Sequence, residues 1–192
     1  MAVAKLDRKS EIRLKAKKLF KERGYAATSM RDLAKEVGIE AASLYNHLSS
    51  KEELLNEMCF DIADQFFQAF QTATATDQNP SKKLKNAIKA HIGVIANNLD
   101  ASTVFLHEWI FIKEPDLSKF KKMRYQYDQG FRELIQKGIE SKDFKDVNVK
   151  LAVFTIISAL NATYDLYKSS EKLTQEEIAE NISNLLLKGL KK

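Results

Sequence analysis

Residues 28–48 read TSMRDLAKEVGIEAASLYNHL. Met30, Leu33, Ala34 and Val37 recur at intervals of three and four, which places them on one face of a short helix. Gly38 interrupts the pattern, and Leu44 and Leu48 restart it in a second short helix. Two short helices joined by a glycine-containing turn form a helix-turn-helix. Each apolar position then has a packing role. Leu33, Val37, Ile39 and Leu44 meet between these helices and the one before them, and Ala34 is small where helices cross. Gly38 takes a turn conformation that is costly for other residues. The outward side chains of the second helix are left free to enter a major groove.

Outward from this segment the chain reads as helices. Six glycines and two prolines in 192 residues leave few breaks, and strand-like alternation is absent. Ile12, Ala16, Leu19 and Phe20 share a face of a first helix, which Gly24 can end in a left-handed conformation. Thr28 or Ser29 caps the second helix, and Ser50 with Glu53 forms a capping box for a longer fourth. TATATDQN at 72–79 is the clearest linker, and Asn79-Pro80 opens a fifth helix with Leu84, Ile88, Ile92, Ile95 and Leu99 inward. A short helix through Trp109 follows. After Pro115 a long one carries Leu117, Phe120, Met123, Tyr127, Phe131, Leu134 and Ile135 on a shared face. A penultimate helix over 147–167, capped by Asp146, is apolar almost all round across 151–160. The last opens with a Thr174–Glu177 capping box and places Ile178, Ile182, Leu185, Leu186 and Leu190 on one side. The expectation is an all-α chain of about nine helices. A three-helix DNA-binding domain is expected over 1–50 and a helical effector-binding and dimerisation domain over 51–192.

The net charge of +5 is unevenly placed. Residues 1–23 hold nine basic side chains, Lys5 among them, against three acidic ones, an excess of six. Such a segment suits a protein approaching phosphates, although lysine-rich helix faces are also commonly just solvated. No charge-free apolar run of about 18 residues occurs, and the N-terminus lacks the apolar core of a secretory signal. A cytoplasmic protein without membrane association is therefore expected. Cys59 is the only cysteine, which rules out an intrachain disulfide or a cysteine-based zinc site. His47, His91 and His107 are far apart, and neither HExxH nor a glycine-rich phosphate loop occurs. These features argue against an enzyme and imply no cofactor or metal.

Residues 16–55, AKKLFKERGYAATSMRDLAKEVGIEAASLYNHLSSKEELL, resemble the N-terminal domain of the TetR/AcrR family of regulators. The resemblance rests on Phe20, Gly24 and Tyr25, on Thr28-Ser29, on Leu33-Ala34 with Gly38-Ile39, and on Leu44-Tyr45 with His47, Lys51-Glu52 and Leu54. It implies that Thr28 or Ser29 bonds phosphate at the start of the second helix. It places Ala41, Ala42, Ser43 and Asn46 toward the groove floor, and Tyr45, His47 and Lys51 on backbone phosphates. Asn46 suits a bidentate adenine contact, Ser43 is permissive, and the two alanines suit thymine methyl groups. With so few polar reading groups, DNA shape would contribute. One departure concerns Glu40, where the family commonly has serine or threonine; glutamate is a poorer cap and is repelled by phosphate.

The same resemblance implies a C-terminal domain that dimerises and holds an effector. Independently, the helices over 147–167 and 174–190 carry more apolar surface than one intramolecular neighbour covers, as expected for a homodimer built on a four-helix interface. FRELIQKG at 131–138, Asp143-Phe144 and SALNATYDLY at 158–167 resemble a TetR subgroup that responds to fatty-acyl-CoA. That subgroup often carries tryptophans where this chain has Ala162 and Leu166, a change that would enlarge or reshape a cavity. Polar residues on apolar helices are the other pocket candidates: Tyr127, Asn161 and Tyr164 first, then His107, Arg124, His91 and Glu108, with Phe131 as apolar wall. The reading is a regulator, most simply a repressor, that binds a palindromic double-stranded operator and is released by an apolar or amphipathic effector such as an acyl-CoA or fatty acid. A helical binding module without DNA contact is the alternative, which Glu40 and the weakly charged second helix keep open.

Overall fold

The structure is a computed structural model and describes residues 7–167 and 173–191; Lys5 lies outside them. Among the described residues ten α-helices follow one another: α1 (Arg8–Arg23), α2 (Met30–Val37), α3 (Ala41–Leu44), α4 (Lys51–Thr74), α5 (Pro80–Asn97), α6 (Leu99–His107), α7 (Asp116–Glu140), α8 (Val149–Asn161), α9 (Thr163–Leu166) and α10 (Gln175–Leu190). A single 3-10 turn, Trp109–Phe111, follows α6. Counting α8 and α9 together, since Ala162 between them keeps helical angles, gives the nine expected. Among the described residues the only extended pairing is an isolated bridge between Phe144 and Lys191.

The chain divides into two compact units, residues 1–62 with 100–117 and residues 63–99 with 118–192, so α4 changes unit between Ile62 and Ala63. In the first unit the core is Ile12, Ala16, Leu19 and Phe20 of α1, Leu33, Ala34 and Val37 of α2, and Leu44 and Leu48 around α3. In the second, Phe70 of α4, Leu84, Ile88 and Ile92 of α5, Phe131 and Ile135 of α7, Val153, Ile156 and Leu160 of α8, and Ile178 and Leu187 of α10 form one cluster. α10 lies along α5, with Lys85 bonded to Glu180 at 2.6 Å and Lys89 near both Glu176 and Glu180.

The helix ends show which local signals decide them. Ser29, not Thr28, caps α2, with its hydroxyl accepting from the Asp32 amide and the Asp32 carboxylate accepting from the Ser29 amide. Thr174 and Glu177 make the expected box at α10. At α4 the box is displaced by one residue on its return arm: Ser50 Oγ accepts from the Glu53 amide, but Glu53 accepts from the Ser49 amide. Gly24 ends α1 at φ 81°, ψ 153°, a region open essentially to glycine alone but not the left-handed helical one expected. Gly38 takes the left-handed conformation itself. Asn148, rather than Asp146, caps α8, because its carboxamide oxygen reaches the Leu151 amide at 3.1 Å. α4 runs on to Thr74, which shortens the linker expected over 72–79.

The stretch Val149–Leu166 is long and apolar enough by composition to match a membrane span, although it contains Lys150 and Asp165. Within the fold, Val153, Ile156 and Leu160 face the core, whereas Leu151 and Phe154 are 62% and 70% exposed. On α10, Ile178, Ala179, Ser183, Leu187 and Leu190 are buried and Leu185 is 72% exposed. Each of the two helices thus has one apolar face inside and another outside.

Gly138 is required by packing, because a Cβ there would meet the buried ring of Phe144 at 2.0 Å. Gly138→Ala is expected to lower stability by about 1–3 kcal/mol or more by overpacking. Gly189→Ala, with nothing within 4 Å, is expected to raise it by about 0.5–1 kcal/mol through helix propensity. Urea denaturation of the two variants should separate them in sign.

Candidate DNA-binding surface and effector pocket

In the first unit, the loop between α1 and α2 is held from beneath. Tyr25 is buried, edge-on to Phe20 and tilted against Phe111, each ring centroid 5.3 Å away. Burial pushes its phenol up to about 12, so it stays neutral. The Lys51 ammonium sits 4.1 Å from the centre of that ring and donates to the carbonyls of Tyr25 and Thr28, both at 2.8 Å. Thr28 is buried, and its hydroxyl donates to the Gly24 carbonyl. Of the pair expected to meet phosphate, Ser29 is therefore the exposed one. Lys51, expected on phosphate, has two of its three N–H donors on backbone carbonyls and so first of all positions the loop.

α3 is a single turn that tightens after Leu44. The amides of Asn46 and His47 bond three residues back, to Ser43 and Leu44, before Leu48 returns to the four-residue spacing. Leu44 and Leu48 point into the core; Ala42, Tyr45, Asn46 and His47 are exposed, and Ala41 and Ser43 are half-buried. Tyr45 is 57% exposed, which excludes a place in the small core. Among the described residues Tyr45, Asn46 and His47 form no side-chain hydrogen bond, so their polar ends are available to a ligand. Glu40 begins α3 without a side-chain cap, as its chemistry predicts.

In the second unit, the polar residues expected in a pocket separate into two groups. His91 of α5 is 2% exposed and sits in a ring cluster, with Phe66 at 4.4 Å and Tyr127 at 6.0 Å between centroids. Phe70 and Phe131 close the cluster around Tyr127 at 5.7 and 5.4 Å. The His91 Nδ1 and the Tyr127 hydroxyl are 2.9 Å apart. Desolvation drives the imidazole down to about 3, opposed in part by Asn161, so His91 is neutral at physiological pH. Burial also holds the Tyr127 phenol well above its usual range. Phe131 is fully buried.

The second group is a recess of about 240 Å³ between α7 and α8, lined by Arg124, Asp128, Arg132, Lys150, Ser158 and Asn161 with an apolar side of Val153, Phe154 and Ile157. Burial raises the Asp128 carboxyl, and Arg124 and Arg132 oppose the rise. Asn161 belongs to both groups, as it lines the recess and acts on His91. Tyr164 is half-buried on α9, its phenol pushed up by burial and by Asp165. His107 and Glu108 belong to the first unit, apart from the unit that carries the other candidates. Asp128, Arg132 and Lys150, which also line the recess, are not among the residues expected from the sequence. A spacing of four along α7, Arg124–Asp128–Arg132, was the available signal.

Two family models match the chain: bacterial regulatory proteins of the tetR family over residues 12–58, and the tetracyclin repressor-like C-terminal domain over 77–190. The HTH-type transcriptional repressor KstR2 of Mycobacterium tuberculosis H37Rv is 26% identical, across 96% of this chain and 94% of its own. The structure of the ketosteroid transcriptional regulator KstR2 from M. tuberculosis superposes with a TM-score of 0.91 at 25% identity, covering 100% of this chain and 97% of that one. AibR, in complex with isovaleryl coenzyme A and operator DNA, superposes at 0.84 over 94% of this chain and 98% of its own. Its 22% identity makes that a likeness of fold.

Lys51→Met keeps the apolar stem and removes both carbonyl bonds. It is expected to lower stability by about 1–3 kcal/mol in urea denaturation, since hydrogen bonds from a charged donor are lost. An unchanged denaturation midpoint would deny Lys51 the positioning role.

Proposed function

Because this chain belongs to the TetR family of bacterial DNA-binding transcriptional regulators, we propose that it is a homodimeric repressor that leaves its operator when an amphipathic effector binds the second unit. The observation that carries this reading is the exposed row Tyr45, Asn46 and His47 on a segment whose apolar side is fully buried. Tyr45 and His47, with Ser29 at the start of α2, supply phosphate contacts that set register. Asn46 reads an adenine, Ser43 tolerates either base, and Ala41 and Ala42 touch thymine methyl groups. Lys51 keeps one N–H donor for phosphate while holding the loop. The relatives named as repressors support the sign of control, and the cytoplasm is where such a protein meets its operator.

The outward faces of α8 and α10 support the dimer. Leu151, Phe154 and Leu185 leave an apolar surface, and Leu151 and Leu185 border a groove of about 340 Å³ between the helices. The same face accounts for a membrane-like composition without a membrane. A two-fold axis through it would present two reading segments to successive major grooves about 34 Å apart. Effector binding then favours a spacing that misfits the operator, with a coupling of about 1–3 kcal/mol. For the effector, the ring cluster around Tyr127 and Phe131 and the polar groups Asn161, Arg124 and Tyr164 favour a molecule with an apolar body and a polar end, of which fatty-acyl-CoA is our choice. That AibR is described with both isovaleryl coenzyme A and operator DNA supports the pairing of the two ligands on this fold.

The protein should retard a fragment of its own promoter, with an affinity that falls steeply as salt rises. Tyr45→Ala with His47→Ala should weaken every fragment alike, whereas Asn46→Ala should lower preference for the operator over unrelated DNA. Acyl-CoA of graded chain length should release the complex. A protein that retards no fragment from its own locus would favour the binding module without DNA contact.

Sedimentation tests the dimer separately. Phe154→Glu and Leu185→Glu should each shift the protein from dimer to monomer without loss of helix. A dimer that survives both substitutions would place the interface elsewhere.

A further inference from the structure

The carboxylate of Glu40 is the one acidic group around the reading segment that nothing in the fold engages. Of the six acidic side chains between residues 7 and 48, five have partners. Asp7 accepts from the Ser10 amide, and Asp32 accepts from the Ser29 amide. Glu11 pairs with Arg8, Glu22 with Lys18 and Glu36 with Lys15. Glu40 is exposed, gives α3 no cap, and makes no hydrogen bond or ion pair among the described residues. From residue 37 to residue 50 it is the only Asp, Glu, Lys or Arg, so no basic neighbour in the segment masks its charge.

A lone negative charge is out of place on a surface that approaches phosphates, which repel it whatever the base sequence. The Leu44 amide bonds the Glu40 carbonyl at 3.1 Å, so residue 40 begins the first turn of the segment. The first residues of a recognition helix are those that reach base edges. In the major groove only two base groups donate hydrogen bonds, the N4 amino group of cytosine and the N6 amino group of adenine. Guanine and thymine present carbonyl oxygens instead, and adenine has the N7 acceptor beside its amino group. An ionised carboxylate can only accept. It is therefore matched by cytosine, opposed at adenine by N7, and repelled by guanine and thymine. The repulsion from phosphate is offset only where a cytosine amino group lies within reach.

We propose that Glu40 is a specificity determinant that accepts a hydrogen bond from a cytosine N4 amino group in each half of the operator and weakens binding to DNA lacking it. The inference rests on the reading of the first unit as the operator-binding unit and adds a base to those assigned to Asn46, Ser43, Ala41 and Ala42. The side chain does the reading, not the amides of α3. Glutamate in place of serine or threonine then changes which base is read and leaves DNA contact intact.

Selection by the full-length protein from a pool of random-sequence duplexes tests the assignment, followed by affinities for the selected duplex and its single-base variants. Wild type should enrich a palindrome with cytosine at one symmetric pair of positions. Guanine or thymine at that pair should weaken binding about tenfold or more. Glu40→Gln keeps the shape and gains an amide donor, and should move the preference at that pair from cytosine to adenine. Glu40→Ala should lose the preference at that pair alone and bind unselected DNA more tightly than wild type. A damaged fold cannot alter base preference at one position only. If both variants enrich the wild-type sequence and differ only in the strength or salt dependence of binding, Glu40 is a solvated charge. The proposal is then overturned and the operator reading stands. If wild type enriches no sequence, the operator reading falls, and the proposal with it.

Discussion

The ammonium of Lys51 is the joint on which the entry into α2 and the proposed reading surface depend. One positive charge, seated over the Tyr25 ring, draws together two carbonyls of the loop that leads into α2. That loop has one backbone turn bond, from the Thr28 amide to the Tyr25 carbonyl at 3.2 Å, and its course is further set by this charge, by the Thr28 hydroxyl on Gly24 and by the glycine-only geometry at residue 24. Once the loop is fixed, Ser29 can cap α2, Gly38 can turn the chain, and α3 is delivered with its polar side outward. A charged side chain that the family resemblance implies on phosphate is thus first an internal brace. Its charge is partly spent before any DNA arrives.

The first unit was the more legible from sequence, for a physical reason. Its informative residues act within a few positions of one another, and spacing records such relations directly. Leu33, Ala34, Val37, Leu44 and Leu48 are buried where a helical period requires, and the box at Ser29 is made of local hydrogen bonds between residues three apart, as is the one at Thr174 in the second unit. Where the reading slipped, two near-equivalent groups competed. Asn148 displaced Asp146 as the cap of α8, and the Ser49 amide took the place of the Ser50 amide as donor to the Glu53 carboxylate, while the Ser50 hydroxyl kept its bond from the Glu53 amide. Such choices turn on the backbone path of a loop, which periodicity does not record.

The second unit was legible as helices and poorly legible as a site. The recess between α7 and α8 takes residues from two helices whose facing sides are decided only by packing. His91 and His107 look alike in the sequence, each a lone histidine near apolar residues. One is buried against Phe66 and Tyr127, and the other is exposed on a helix of the first unit. The distinction depends on what α5 and α6 face, a non-local property. Charge was the one usable hint, since two arginines and an aspartate at helical spacing on α7 form a stripe before any neighbour is known.

The single turn of α3 has a consequence for how such a protein changes over time. Its packing is supplied by Leu44 and Leu48, while residues 41, 42 and 43 carry little more than a methyl or a hydroxyl. Folding and the proposed reading role therefore fall to different side chains of the same short segment. On the proposed reading, substitutions at 41 and 42 introduce new groups toward a base without opening a void beneath them. The operator and the protein are in this sense free to drift together, with the brace under the loop holding the frame while the text it reads is rewritten.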